Sequence, residues 1–120
     1  MSDIYQEIIL TNYQSPKNAF KPEKFTHSLQ KNNPFCGDEI EVYISLYKGK
    51  AEQINYVAKG CAISIASASI LSQALKGKTK AQIRDFKTKD LLDLLNIELT
   101  PTRLKCALLP LETIQKAILT

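Results

Sequence analysis

The sequence predicts an α+β fold: a small antiparallel three-stranded β-sheet covered on one face by helices, with a further helix at the N-terminus. Three observations predict it. Residues 40–47 alternate Ile40, Val42, Ile44 and Leu46 with Glu41, Tyr43, Ser45 and Tyr47, the period-two pattern of a strand with one buried face. Lys48-Gly49 supplies a turn from which residues 53–58 return as an antiparallel partner. The second half of the chain changes to the 3.6-residue spacing of amphipathic helices.

The elements follow in order. Residues 2–13 carry Tyr5, Ile8, Ile9 and Asn12 or Tyr13 at helical spacing, with Ser2 or Asp3 as the N-cap, and Ser15-Pro16-Lys17-Asn18 ends that helix. Residues 26–31 add a third, more polar strand at an edge, leaving one face of the meander for helices to cover. Residues 62–75 form a small-residue helix whose stripe is Ile63, Ala66, Ile70 and Ala74, stopped near Gly77. Thr79 and Thr88 read as N-caps of two short helices, the second bearing Leu91, Leu92, Leu94 and Leu95. Thr100-Pro101 opens the last helix, with Leu104, Ala107, Leu108, Leu111, Ile114 and Ile118 as its apolar stripe and Pro110 as an expected point of distortion.

Composition sets the outer limits. A chain of 120 residues, 44% hydrophobic and 23% charged, suits one domain over residues 1–120 with a single core. No apolar run approaches the roughly 18 residues of a membrane span, and the start lacks the pattern of a secretory signal, so the expected location is cytoplasmic, with no membrane partner. Three cysteines, an odd number, argue against a disulfide framework and for thiols that are inert, catalytic or metal-bound. The formal charge of +4 lies wholly in the second half, because residues 1–60 balance. Lys76, Lys78, Lys80, Arg84, Lys87 and Lys89 form a basic stretch able to steer an acidic protein partner or to act as a solvated surface. Nucleic acid is not an expected partner, since only Phe86 interleaves those charges and Trp is absent.

The chemistry concentrates at the cysteines. In Asn33-Pro34-Phe35-Cys36-Gly37-Asp38, a C-x-D spacing in extended backbone points thiolate and carboxylate to the same side. Cys61, in Gly60-Cys61-Ala62, stands where a strand passes into a helix, and the positive helix N-terminus favours its thiolate. Cys106 projects roughly 130° from the centre of its helix's apolar stripe, which suggests a surface or site-facing thiol rather than core filling. Three thiolates and one carboxylate suffice for a tetrahedral zinc site or a small iron–sulfur cluster, while separate, partly buried thiols remain the plain alternative. His27, the sole histidine, falls in the edge strand and reads as solvent-exposed.

These motifs, with Gly60-Cys61-Ala62-Ile63-Ser64-Ile65-Ala66-Ser67-Ala68-Ser69 and Arg103-Leu104-Lys105-Cys106-Ala107-Leu108-Leu109, resemble the U-type iron–sulfur scaffold family of IscU, SufU and the NifU N-terminal domain. The opening helix and Ser15-Pro16-Lys17-Asn18 extend the resemblance over nearly the whole chain. It implies a SufE/NifU-like fold and a protein that accepts persulfide sulfur from a cysteine desulfurase, with Cys61 and Cys106 as acceptor candidates. In the scaffold branch, a [2Fe–2S] cluster is assembled on Cys36, Cys61 and Cys106, made labile by Asp38, and passed to apo iron–sulfur recipient proteins or carriers. In the sulfur-transfer branch, Cys36, Asp38, Cys61 and Cys106 hold zinc, and a cysteine exchanges out to take the sulfur.

The departures from the family pattern pull in two directions. Lys105 replaces the histidine usual before the third cysteine of scaffolds, as in the sulfur-transfer branch. A protonated lysine cannot ligate a metal, so Lys105 reads as a charge that stabilises the adjacent thiolate or contacts a partner. Leu99-Thr100-Pro101-Thr102-Arg103 replaces the motif read by the family's dedicated Hsp70 system. The interval from Cys61 to Cys106, however, is too short for the insertion typical of the sulfur-transfer branch. A purely structural zinc domain is the third reading, one in which losing Cys36 would unfold the chain.

Overall fold

Two consecutive positive φ angles, 54° at Lys48 and 78° at Gly49, turn the chain back on itself in the two-residue geometry that suits a twisted hairpin. The computed structural model describes residues 3–34 and 37–120, with side chains described from Glu7 onward. Along these the order is α1 (Asp3–Gln14), β1 (His27–Asn33), β2 (Asp38–Tyr47), β3 (Lys50–Lys59), α2 (Ala62–Ala74), α3 (Lys80–Arg84), α4 (Thr88–Leu95) and α5 (Pro101–Ala117). The strands form one antiparallel sheet in the order β1-β2-β3, so the expected α+β class holds.

The tight turn lets β3 pair from Lys50, three residues before the sequence pattern begins. A register shift between Ser45 and Leu46 separates that first stretch from the regular one, which is why the alternation becomes legible only at Gln53. Ile40, Val42 and Ile44 bury one face of β2, with Ile54 and Tyr56 of β3 beside them. The opposite face is not purely polar, since Tyr43 is buried too. Phe25 lies with its ring centroid 5.0 Å from that of Tyr43, and Lys21 Nζ stands 5.7 Å above the Tyr43 ring. The segment after α1 thus wraps the sheet. Asn18, at φ 63°, offers its carbonyl to the Tyr56 N–H and to Asn55 Nδ2, both at 3.2 Å, which covers part of the β3 edge.

Helix α2 departs from its expected stripe: Ile63 and Ala66 are buried but Ile70 and Ala74 only half so, whereas Ser64, Ser67, Ala68, Ser69, Leu71 and Ser72 are buried, because α1, α4, α5 and β3 pack around it. Small serines permit this approach and pair with the wrapping segment. Ser69 donates to Asn12 Oδ1 at 2.7 Å and accepts from Lys17 N–H at 2.9 Å, while Ser72 accepts from Asn18 Nδ2 at 2.9 Å.

The caps of the short helices divide. Thr79 caps α3 as expected, accepting from Gln82 N–H at 3.1 Å while Gln82 Oε1 accepts from Thr79 N–H at 2.9 Å. For α4 the cap is Lys87, not Thr88, since Asp90 Oδ2 accepts the Lys87 N–H at 2.9 Å and Thr88 is already helical. Thr100 caps α5, accepting from Arg103 N–H at 3.4 Å. Helix α5 continues unbroken through Pro110, although proline has no N–H to give the carbonyl of Cys106.

Tyr56 is 2% exposed, and its hydroxyl closes no hydrogen bond of good geometry, although the Ser69 side chain lies near enough to act on it. Burial pushes its pKa up to about 12, a shift only partly offset by Ser69. A raised phenol pKa means that the unfolded chain loses this proton first. Stability is therefore expected to hold below about pH 10 and to fall, by up to about 3 kcal/mol, as pH rises towards 12. Tyr56→Phe is expected to remove that alkaline loss and leave neutral-pH stability unchanged or higher, since it deletes an unpaired buried hydroxyl. Urea unfolding of both proteins across that pH window checks this.

Candidate metal and thiol site

The β1–β2 hairpin closes with Asn33 opposite Asp38, and Gly37 N–H donates to Asn33 O at 3.0 Å. Gly37 has φ 73°, so the link before Asp38 is a left-handed turn rather than the extended backbone read from the C-x-D spacing. Cys36 itself lies outside the described residues. Asp38 is the first residue of the central strand and is only 2% exposed.

Cys61 arrives from the other side. β3 ends at Lys59 beside Glu39, and the chain passes through Gly60 to Cys61, which occupies the N-cap of α2 with extended backbone, φ −75° and ψ 169°. Its N–H donates to Asp38 Oδ1 at 3.1 Å, and its thiol lies 3.8 Å from Asp38 Oδ2. An ideal Cβ on Gly60 would stand 2.5 Å from Asp38 Oδ1 and 2.7 Å from Asp38 Cγ, so only glycine lets the carboxylate take this position.

Cys106 completes the group. It is 4% exposed, which corrects the surface alternative; the other alternative, a thiol facing a site, matches its placement. A helix with one neighbour has one buried stripe, but α5 packs against α2 on one side and against β1 and β2 on another. With neighbours from a helix and from two strands, its buried face is wider than a single stripe. One ligand atom each from Asp38, Cys61 and Cys106 lies within 4.8 Å of the others. Ligands of one tetrahedral zinc stand about 3.5–3.8 Å apart, given Zn–S near 2.3 Å, so small side-chain adjustments would close the set around an ion. Two sulfurs and one carboxylate also match the donor preferences of zinc and of iron in sulfide clusters. Neither Cys61 nor Cys106 is in a disulfide.

The two thiols differ in access. Cys61 is exposed and Cys106 is buried, and both line a cavity of about 660 Å³ walled by Ile9, Leu10, Ile63 and Ile97, with Arg103 alongside. Sequence reasoning quoted Arg103 only as part of a motif. Its position three residues before Cys106 on a helix was the signal that both share a face. Lys105 is exposed and lines a different cavity, of about 300 Å³, with Lys31, Asn33, Leu109 and Glu112. Among the described residues that line the thiol cavity, the cation is Arg103. His27 begins the edge strand, half-buried, with Nδ1 2.8 Å from Thr26 Oγ1 and no place in the site.

A three-stranded antiparallel sheet backed by helices, with two thiols and a carboxylate gathered where the central strand meets a helix N-terminus, defines a class of small α+β proteins with a candidate metal site. The family described as the NifU-like N terminal domain matches residues 4–120, and the chain belongs to it. It is 29% identical to the zinc-dependent sulfurtransferase SufU of Bacillus subtilis, over 98% of this chain and 91% of that protein. That alignment runs over 135 positions against 120 residues, so the relative carries residues with no counterpart here. The chain is 26% identical to the iron–sulfur cluster assembly scaffold protein IscU of Escherichia coli, over 95% of this chain and 91% of that one. Among solved structures, a putative iron–sulfur cluster assembly scaffold protein for the SUF system from Fervidobacterium islandicum superimposes with a TM-score of 0.83 at 26% identity, covering 97% of both chains. No helix among the described residues is long and apolar enough to cross a membrane.

Proposed function

We propose that this chain, acting as one domain in the cytoplasm, is an iron–sulfur cluster assembly protein. It accepts sulfur from a cysteine desulfurase, assembles or relays a labile [2Fe–2S] cluster at Cys36, Asp38, Cys61 and Cys106, and passes it to apo recipient proteins or carriers. The observation that carries this reading is the convergence of Asp38, Cys61 and Cys106 within 4.8 Å at the meeting of two separate hairpin ends and α5. Cys36, two residues before Asp38, supplies the fourth ligand. Asp38 weakens the hold on iron, because a hard carboxylate is a more exchangeable partner for a sulfide cluster than a fourth thiolate. Cys61 is the thiol that incoming sulfur reaches first, being exposed at the cavity mouth, and the apolar walls exclude water from the buried Cys106. Lys105, exposed beside a second cavity, stabilises a neighbouring thiolate or contacts a partner.

Two observations favour a second reading, a zinc-dependent sulfurtransferase that activates its desulfurase: Lys105 stands where scaffolds have histidine, and the likeness to SufU spans 98% of the chain. When bound, zinc keeps the thiolates deprotonated and stored. The deciding experiment is metal analysis and absorbance of protein purified without added metal, then incubated anaerobically with a cysteine desulfurase, cysteine and ferrous iron. Cluster absorbance that transfers to an apo-ferredoxin is the expected result. Stoichiometric zinc that persists, with desulfurase turnover stimulated and no cluster, would assign the sulfurtransferase.

A further inference from the structure

Two loops distant in sequence are joined at the end of the sheet remote from Asp38. Ala51 N–H donates to Lys78 O at 2.8 Å, Gly77 N–H donates to Ala51 O at 2.7 Å, and Lys50 bridges to Thr79. The β2–β3 turn and the start of β3 bring Lys48 and Lys50, the loop after α2 and the start of α3 bring Lys76, Lys78 and Lys80, and all five are exposed. Residues 47–52 and 76–80 contain these five lysines and one carboxylate, Glu52, an excess as large as the +4 of the entire chain.

That concentration is invisible along the sequence, where Lys48 and Lys50 belong to a half of the chain with balanced charge. Among the described residues, no carboxylate forms an ion pair with any of the five. Like charges at a free surface relax by moving apart, whereas here backbone hydrogen bonds between the loops hold them together. The result is a fixed positive field at one pole.

We propose that this lysine pole is a second docking surface, which holds an acidic segment of a partner protein. Its position leaves the metal site free. β2 runs from Asp38 to Tyr47, which at about 3.3 Å per residue separates the two ends by about 30 Å, within a molecule 41 Å long. A protein held at the pole thus stays tethered while the thiol cavity faces another. Single-stranded nucleic acid fits this surface poorly, because it binds along a basic groove with free aromatic faces. Here the cavity that Lys78 shares with Phe86 also holds Asp85 and Asp90, which repel a phosphate backbone, and the neighbouring exposed ring, Tyr47, already carries Lys48 Nζ 5.3 Å from its centroid.

The test is fluorescence anisotropy of a labelled polyglutamate peptide titrated with the full chain at low and at physiological ionic strength. Binding that weakens with salt is expected, and the triple variant Lys48→Asn, Lys50→Gln, Lys78→Gln is expected to weaken it at least about tenfold. The charge-matched variant Lys17→Gln, Lys24→Gln, Lys89→Gln is expected to change it less than about twofold, with circular dichroism and zinc loading native in both. Equal weakening by the two variants would reduce the effect to net charge and overturn the proposal, as would absent binding. Tighter binding of a thymidine oligonucleotide of equal charge, or of phosphatidylserine vesicles, would overturn it in favour of those partners.

Discussion

Cys106→Ser is expected to lower zinc affinity by at least about a hundredfold while the metal-free protein keeps a cooperative melt. Serine nearly preserves the shape of a side chain that is 4% exposed, so packing of α5 against the sheet is little disturbed. Its hydroxyl stays protonated at neutral pH, however, and supplies no soft anionic ligand. With Cys36 as the proposed fourth ligand, Asp38 and Cys61 leave the ion three protein donors, so water takes the fourth position and the hold on zinc weakens. The fold should survive, because its largest fully buried side chains come from strands and helices alike. Ile44, Ile54, Leu71, Leu91 and Ile114 join one hydrophobic cluster that includes neither thiol nor the carboxylate. Competition with a chromophoric chelator measures the affinity, and thermal denaturation of the metal-free variant measures the fold. A variant that is unfolded without metal would instead assign a structural zinc domain.

The parts of this fold that were legible in the sequence are those governed by local chemistry. The alternation at 40–47, the Lys48-Gly49 turn and the Thr79 and Thr100 caps each depend on residues within a few positions of one another, and each stands as expected. Periodicity fails where two elements compete for one side chain. The extra burial of α2 comes from the several elements packed around it, and that of Tyr43 from the wrapping segment of residues 15–26, whose polar sequence gives no apolar period to read. The same limit applies to Cys106: a helical wheel measures angle from the stronger face, whereas α5 is packed by α2 as well as by β1 and β2, and its buried face is wider than one stripe. Spacing left open whether the cysteines belong together, and the gathering of Asp38, Cys61 and Cys106, like the contact of Gly60 with Asp38, is visible only in the folded chain.

Gly60→Ala is expected to cost about ten- to a hundredfold in zinc affinity, although Gly60 carries no ligand atom. The backbone of Gly60 does not have the positive φ that favours glycine, so alanine meets no conformational penalty and the whole effect is close approach. Its Cβ would stand 2.5 Å from Asp38 Oδ1, 2.7 Å from Asp38 Cγ and 3.1 Å from Asp38 Cβ. The clash reaches down to the root of the side chain, and rotation of the carboxylate alone cannot relieve it. Asp38 is also 2% exposed, with little room to retreat. Displacing it breaks the hydrogen bond from Cys61 N–H and moves the carboxylate away from the Cys61 thiol. A stability loss of about 1–3 kcal/mol should accompany the weaker binding, because the aspartate becomes a buried charge without its donor. Gly49→Ala provides the contrast. Gly49 has φ 78° with open space around its Cβ position, so alanine there should lower stability by about 1 kcal/mol through backbone strain and leave zinc affinity unchanged. Native zinc affinity in Gly60→Ala, measured beside Gly49→Ala, would show that the Asp38 carboxylate is not a ligand and that the metal is held by the thiolates without it.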